Sequence, residues 1–177
     1  DSTVSKYACE YHDHGHEGNP DRPRGRDTHS IYGFNYRMTE MQGAVGKAQL
    51  AKLNYIIAEN KKRYDALEKT VPLTVTKRQI LEGSEPIYDT FIFFADTSED
   101  KDRYVQILTD EGFGTKNLPD AIKWHCSYHW NHALSKNDVK KTKITYDLLS
   151  KAISIPIWLK RPVDEYIEIG KFIKSLK

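Results

Sequence analysis

Thr39-Glu40-Met41-Gln42 has the form of a capping box, in which a hydroxyl and an amide three residues apart satisfy the unpaired donors of a helix start. Ala44, Val45, Ala48, Leu53, Ile56, Ile57, Tyr64 and Leu67 then recur at near-helical spacing, with Lys47, Lys52, Glu59 and Lys62 on the polar face. Pro72 closes the run. The pattern predicts one long helix over 39–69. Its first half is rich in small residues (Gly43, Ala44, Gly46, Ala48), which lets another backbone approach closely.

Residues 1–11 read as the end of an earlier helix, with Val4, Tyr7 and Ala8 on one side. Residues 12–37 read as a loop punctuated by glycine and proline, with Arg22, Arg24 and Arg26 at alternate positions. A loop of that length in a compact chain is usually functional or disordered. Beyond the long helix, Leu73–Lys77 reads as a short strand and Tyr88–Ala95 as a buried one. A helix capped by Ser98 runs to about Glu111, where Gly112-Phe113-Gly114 stops it. Residues 115–136 form a second long loop, dense in aromatics and histidines. A helix from Asn137 or Asp138 to Lys151, a strand Ile153–Ile155 ended by Pro156, and an amphipathic helix from Asp164 complete the chain. The class is α/β, with an α+β C-terminal part, and the order expected is a long helix followed by β-β-α-β-α-β-α.

The length of 177 residues suits one domain. Lys+Arg minus Asp+Glu is 27 − 25 = +2, so no dedicated nucleic-acid role is expected and Arg22–Arg26 read as a solvated loop. Lys61-Lys62-Arg63 and Lys140-Lys141 likewise read as solvated helix faces. No window approaches the ~18 apolar residues of a spanning helix, and from the polar start Asp1-Ser2-Thr3 no signal peptide is expected. Cys9 and Cys126 are the only cysteines, which favours a reducing, cytoplasmic setting over a disulfide framework. No GxSxG, P-loop or GxGxxG is present.

Six of the seven histidines fall in two windows, His12-x-His14-x-His16 and His125-Cys126 with His129 and His132. Imidazole, thiolate and carboxylate are the usual zinc ligands, but the spacing matches no zinc pattern well and no metal is assigned. The alternative is polar loop histidines beside a half-buried aromatic cluster. Asn35 and Arg37, just before the capped helix, could form an anion site, with an amide donor and a bidentate guanidinium at the positive end of the helix dipole. Equally, Asn35 could stabilise the turn and Arg37 could pair with Glu40 or another acid.

Gly33-Phe-Asn-Tyr-Arg-Met-Thr-Glu-Met-Gln-Gly-Ala-Val-Gly-Lys-Ala-Gln-Leu50 resembles the G-x-N-x-R-[ML]-[ST]-E-[LM]-Q-x-A-x-G-x-x-Q-L signature of the DegT/DnrJ/EryC1/StrS aminotransferases, pyridoxal-phosphate sugar aminotransferases of fold type I. His14–Pro20, Arg24–Thr28, Gly114–Pro119, Trp124-His125 and Trp130-Asn131-His132 resemble one branch, which aminates 8-oxo-3-deoxy-octulosonate to 8-amino-3,8-dideoxy-octulosonate for bacterial lipopolysaccharide. The resemblance covers essentially the whole chain. It implies residues 1–38 as the end of the large cofactor-binding domain with an active-site loop, 39–69 as a connecting helix and 70–177 as the small domain.

It also implies a cytoplasmic homodimer with shared active sites, pyridoxal 5'-phosphate as cofactor, and a keto-sugar and glutamate as substrates. Asn35 would reach the phosphate of the partner's cofactor, with Arg37 close by. Lys116, Trp124, His125, His132 and His16 become candidates for holding the sugar, and a sugar acid would want a cation from Lys116 or the arginines at 22–26. The family's Schiff-base lysine lies in an S-x-x-x-K…T-G-E-G-G segment, and no lysine here has that context. Asp1 corresponds to a point shortly after that segment, so the chain is expected to be a C-terminal portion with no transaminase activity by itself and no catalytic residue of its own. Alternatives are a relative that has exchanged transamination for dehydration or regulation, or a histidine-rich metal- or ligand-binding module.

Overall fold

The computed structural model describes residues 1–28, 30–118 and 121–176. They form two compact units, Asp1–Lys52 and Leu53–Lys177.

In the first unit, α1 (Ser2–His12) ends at Asp13, whose N–H donates to the Glu10 carbonyl at 3.2 Å. His14 and Gly15 then take positive φ, 57° and 82°, and reverse the chain. Residues 33–36 return alongside, with His14 N–H on Phe34 O, Phe34 N–H on Tyr11 O and Tyr36 N–H on His12 O at 2.8–3.0 Å. Two glycines permit this approach. A Cβ on Gly15 would lie 2.2 Å from Ile31 O, and one on Gly33 would lie 2.6 Å from Gly15 N and Tyr11 O. The capping box forms as the sequence predicts: Thr39 Oγ1 accepts from Gln42 N–H at 3.3 Å, and Gln42 Oε1 from Thr39 N–H at 2.8 Å.

The helix expected over 39–69 is two helices, α2 (Glu40–Leu50) and α3 (Leu53–Thr70). At the break the Lys52 N–H turns to the i−3 carbonyl of Gln49, which tightens the last turn. No residue of α2 is buried, so its cap is the main local support the sequence supplies. Val4 and Tyr7 of α1 are exposed.

The second unit is a three-stranded antiparallel sheet in the order β1 (Thr76–Lys77), β2 (Thr90–Phe94), β3 (Ala152–Pro156). Phe91 pairs with Ile155 and Phe93 with Ile153, and these four side chains point into the core. α3 contributes Tyr64 and Leu67, α4 (Ser98–Asp110) Leu108, and α8 (Val163–Ser175) Tyr166, Ile169 and Ile173. α8 meets the end of α3 so closely that a Cβ on Gly170 would fall 1.8 Å from Thr70 Oγ1. The mixed helix-and-sheet class agrees with expectation, but the element order differs. Between α4 and β3 there is no strand among the described residues. Instead come α5 (Ala121–His125), a 3-10 turn at Ser127–His129, α6 (Lys136–Lys141) and α7 (Lys143–Leu149).

The cap of α4 is Thr97, not Ser98: its hydroxyl accepts from Asp100 N–H at 3.0 Å. Arg63 is not on a solvated face. It is buried and donates to the carbonyls of Glu59, Leu159 and Arg161 at 2.7–3.0 Å, tying α3 to the turn before α8. Pro119, the last residue of the Gly114–Pro119 motif, lies outside the described residues.

Candidate functional site

Asn35 and Arg37 sit on the segment that Gly33 allows to lie against the turn after α1. Arg37 donates from N–H and from Nε to Asn35 Oδ1, both at 3.2 Å. Its Nε also lies 3.0 Å from Asp13 Oδ1, so its acid partner is Asp13 and not Glu40. Arg24 Nη2 meets the same Asp13 oxygen at 2.6 Å. One carboxylate thus gathers two guanidinium groups, from 11 and 24 positions further along the chain. The Asn35 amide nitrogen and the terminal nitrogens of Arg37 keep no hydrogen-bond partner among the described residues. An amide donor beside a guanidinium fork is a donor set that suits an oxyanion such as a phosphate.

His16 belongs to the same unit. Its Nδ1 lies 3.2 Å from Asp27 Oδ2. An ionised carboxylate only accepts, so Nδ1 carries the proton. The Asp27 side chain is 5 % exposed and also accepts from Glu17 N–H at 2.9 Å. Desolvation pushes the Asp27 pKa up. The hydrogen bonds from the backbone and from His16 outweigh it and bring the group down to about 2. Glu10 is buried as well, and Ser30 Oγ donates to it at 2.5 Å. A cavity of about 430 Å³ lies in this unit, with His12, His16, Arg22 and Arg24 among its walls. His12 turns its Nδ1 to the Cys9 carbonyl at 3.3 Å. Among the described residues no group of three or more His, Cys, Asp or Glu is arranged to hold a metal ion.

In the second unit, Lys116 and Asn117 dock on the outer edge of β3. Lys116 N–H donates to Ser154 O, Asn117 Nδ2 donates to Ala152 O, and Ser154 N–H donates to Asn117 Oδ1, each at 2.8 Å. The side-chain amide therefore pairs with the strand edge as a neighbouring strand would. The Lys116 ammonium lies 2.6 Å from Thr90 Oγ1, 3.2 Å from Asp89 Oδ2 and 3.3 Å from Asp89 O. Three acceptors face its three protons.

Lys116 and His125 line one cavity of about 220 Å³. Trp124 and His132 line another, of about 690 Å³, whose wall Trp130 also forms. The indole N–H of Trp130 donates to Trp124 O at 3.2 Å. Tyr128 stacks on Tyr146 at 4.5 Å between centroids, and His129 meets Tyr146 edge-on.

Asp13, Asp27, Asp89 and Asn117, which orient these candidates, carry no individual mark in the sequence, although Asp27 and Asn117 fall within the Arg24–Thr28 and Gly114–Pro119 motifs. Acids and amides in polar loops have solvation as their default, and the contacts that give these four a role are distant in sequence: Asp13 with Arg37, Asp27 with His16, Asp89 with Lys116, and Asn117 with Ala152 and Ser154. The one local hint was the turn signal His14-Gly15 directly after Asp13.

No helix among the described residues is long and apolar enough to cross a membrane. Solved structures share the fold. The chain is similar to 3-amino-5-hydroxybenzoic acid synthase, with 20% identity and a TM-score of 0.73 over 99% of this chain and 47% of that one. It is similar to Spr1654 from Streptococcus pneumoniae, described as a sugar aminotransferase and solved in PMP and PLP forms. The PMP form gives 17% identity and a TM-score of 0.71 over 99% of this chain and 44% of that one. It is also similar to PseC from Helicobacter pylori, an aminotransferase of pseudaminic acid biosynthesis, with 13% identity and a TM-score of 0.68 over 99% of this chain and 46% of that one. The chain thus spans less than half the length of these proteins. A sequence-family model matches residues 1–173, and by that match the chain belongs to the DegT/DnrJ/EryC1/StrS aminotransferase family.

Proposed function

We propose that the chain is the small-domain portion, with the adjoining active-site loop, of a pyridoxal-phosphate-dependent aminotransferase that aminates a keto-sugar. The observation that carries this reading is the Asn35–Arg37 donor set, held by Asp13 and a glycine-permitted contact, inside a stretch that matches the family from end to end. Pyridoxal phosphate, when bound, supplies the electron sink for transamination. The donors left unengaged on Asn35 and Arg37 fit its phosphate. By resemblance they serve the cofactor of the partner subunit in a cytoplasmic homodimer. The substrate reading follows the loops: 8-oxo-3-deoxy-octulosonate with glutamate as amino donor, in lipopolysaccharide biosynthesis. Lys116, Trp124, His125 and His132 would line the sugar's place on the small domain, and His16 would contribute from the first loop.

Asn35→Ala and Arg37→Ala, made in the assembled enzyme that carries the family's cofactor lysine, should each weaken pyridoxal phosphate retention about tenfold, the worth of one charge-assisted contact. Equal retention in folded variants would overturn the cofactor assignment. His125→Ala should raise KM for the keto-sugar and leave KM for glutamate unchanged. An equal rise in both would remove His125 from the sugar site. The chain alone, treated with pyridoxal phosphate and borohydride, should show no single lysine labelled stoichiometrically, because none has the family's lysine context.

A further inference from the structure

The cavity that Lys116 and His125 share has a second lysine in its wall, Lys101 of α4. Five segments converge on it: α4 through Lys101, the loop after α4 through Lys116 and Asn117, α5 through His125, α7 through Leu149, and β3 through Ser154. The described residues lining it include no carboxylate. Its floor is apolar, with buried Cys126 and Ala152. Cationic walls over an apolar floor concentrate positive potential and favour an anion.

The two lysines are not equivalent. Lys116 faces three acceptors, Thr90 Oγ1, Asp89 Oδ2 and Asp89 O, and so has no proton left for a ligand. Lys101 has one such partner, Asp102 Oδ1 at 2.6 Å, and its side chain is 24 % exposed. Neither the His125 ring nor Ser154 Oγ has a hydrogen-bond partner among the described residues. The side-chain donors left open around the cavity therefore include the remaining protons of Lys101, the second amide proton of Asn117, and those of Ser154 and His125. We propose that this cavity binds an oxyanion through Lys101, with Ser154 and His125 assisting, and that Lys116 is a pin for the sheet edge and not the anion ligand. That the oxyanion is the acid end of a sugar rests on the aminotransferase reading; that the cavity binds one does not.

The test titrates the full chain at about 0.15 M salt, where diffuse surface attraction is largely screened. The probes are gluconate, inorganic phosphate and uncharged glucose, followed by the amide signals of Ser154, His125 and Ala152. Gluconate or phosphate should shift these signals saturably, and glucose should not. Gluconate binding tighter than phosphate would identify a carboxylate ligand, and the reverse a phosphorylated one. Lys101→Met keeps the aliphatic stem and should weaken binding at least fivefold. Lys140→Met, an exposed lysine of α6, should leave it unchanged. Equal binding in the Lys101 and Lys140 variants would overturn the proposal. So would loss of binding in a folded Lys116→Met variant while Lys101→Met binds normally. None of these readouts requires pyridoxal phosphate. A chain that binds gluconate, from an enzyme that retains cofactor without Asn35 or Arg37, would sink the cofactor assignment and leave the anion cavity standing.

Discussion

The two histidine-bearing loops look alike as sequence and are held in different ways. The first, between α1 and α2, is fastened by charge and by close backbone approach. Asp13 collects Arg24 and Arg37, Asp27 takes His16, and Gly15 and Gly33 occupy places where a Cβ would strike backbone. The second, between α4 and α6, is fastened chiefly by hydrogen bonding to a strand edge and by ring stacking, with one exposed ion pair, Lys116–Asp89. Asn117 and Lys116 extend β3 sideways, and Tyr128 packs on Tyr146. Charge-fastened loops respond to pH and salt. Loops joined to a sheet share the sheet's stability. The residues offered for a phosphate therefore stand on the charge-fastened loop, and those offered for a sugar stand mainly on the sheet-fastened one.

The largest expected effect breaks the first loop at Gly33. A methyl there would meet Gly15 N, Tyr11 O and Glu10 O at 2.6–2.8 Å, all backbone atoms with little room to move. Gly33→Ala should cost about 3 kcal/mol of local stability, the upper range for overpacking. Amide hydrogen exchange would show it as lost protection at His14 and Phe34, with Ser154 in the second unit unchanged. Gly18 and Gly25 have positive φ but open space around the missing Cβ. Alanine at either should cost about 1 kcal/mol, from backbone strain alone. Similar losses at Gly33 and Gly25 would show that close approach is not what fastens this loop.

What the sequence disclosed and what it hid follow the same divide between local and distant causes. The capping box at Thr39 was legible because all its parts lie within four residues. β2 was legible because Phe91, Ile92, Phe93 and Phe94 form an apolar run, although only alternate residues are buried. The break between α2 and α3 carries neither glycine nor proline, so nothing local marks it. α5 has five residues and no buried position, too short and too exposed for periodicity to register. For the site, Asn35 and Arg37 were visible through a motif. Asp13, which holds Arg37, was not, since an acid 24 positions away is one among many. Lys116 was named for its charge, yet Asp89 and Thr90 occupy its protons.

A second, smaller effect tests the strand-edge fastening. Asn117→Ala removes one donor and one acceptor, leaving Ala152 O and Ser154 N–H without their side-chain partner. Two net hydrogen bonds of about 1 kcal/mol each predict a loss of about 2 kcal/mol. It should register as faster exchange at the Ser154 amide, while His14 and Phe34 keep their protection. An effect confined to residues 121–136, with β3 unchanged, would mean that the loop leans on the sheet without contributing to it.

The smallest effect sharpens the comparison through pH. The folded Asp27 pKa of about 2 lies below its ordinary 3.8. A carboxylate depressed on folding contributes stability in full above its unfolded pKa and loses it as pH falls through the folded one. The Asp27 contribution should therefore be intact at neutral pH and disappear between about pH 4 and pH 2. As Asp27 protonates it becomes a weaker acceptor for His16 and for Glu17 N–H, so these two residues should report the change together. Their signals should shift in that window while the Asn117–Ser154 contact, made wholly of neutral groups, stays as it is. Asp27→Asn keeps the shape and removes the titration, and should flatten the His16 response below pH 4. If His16 and Ser154 responded to acid in parallel, the two loops would be melting as one cooperative element, and the difference in how they are fastened would have no thermodynamic consequence.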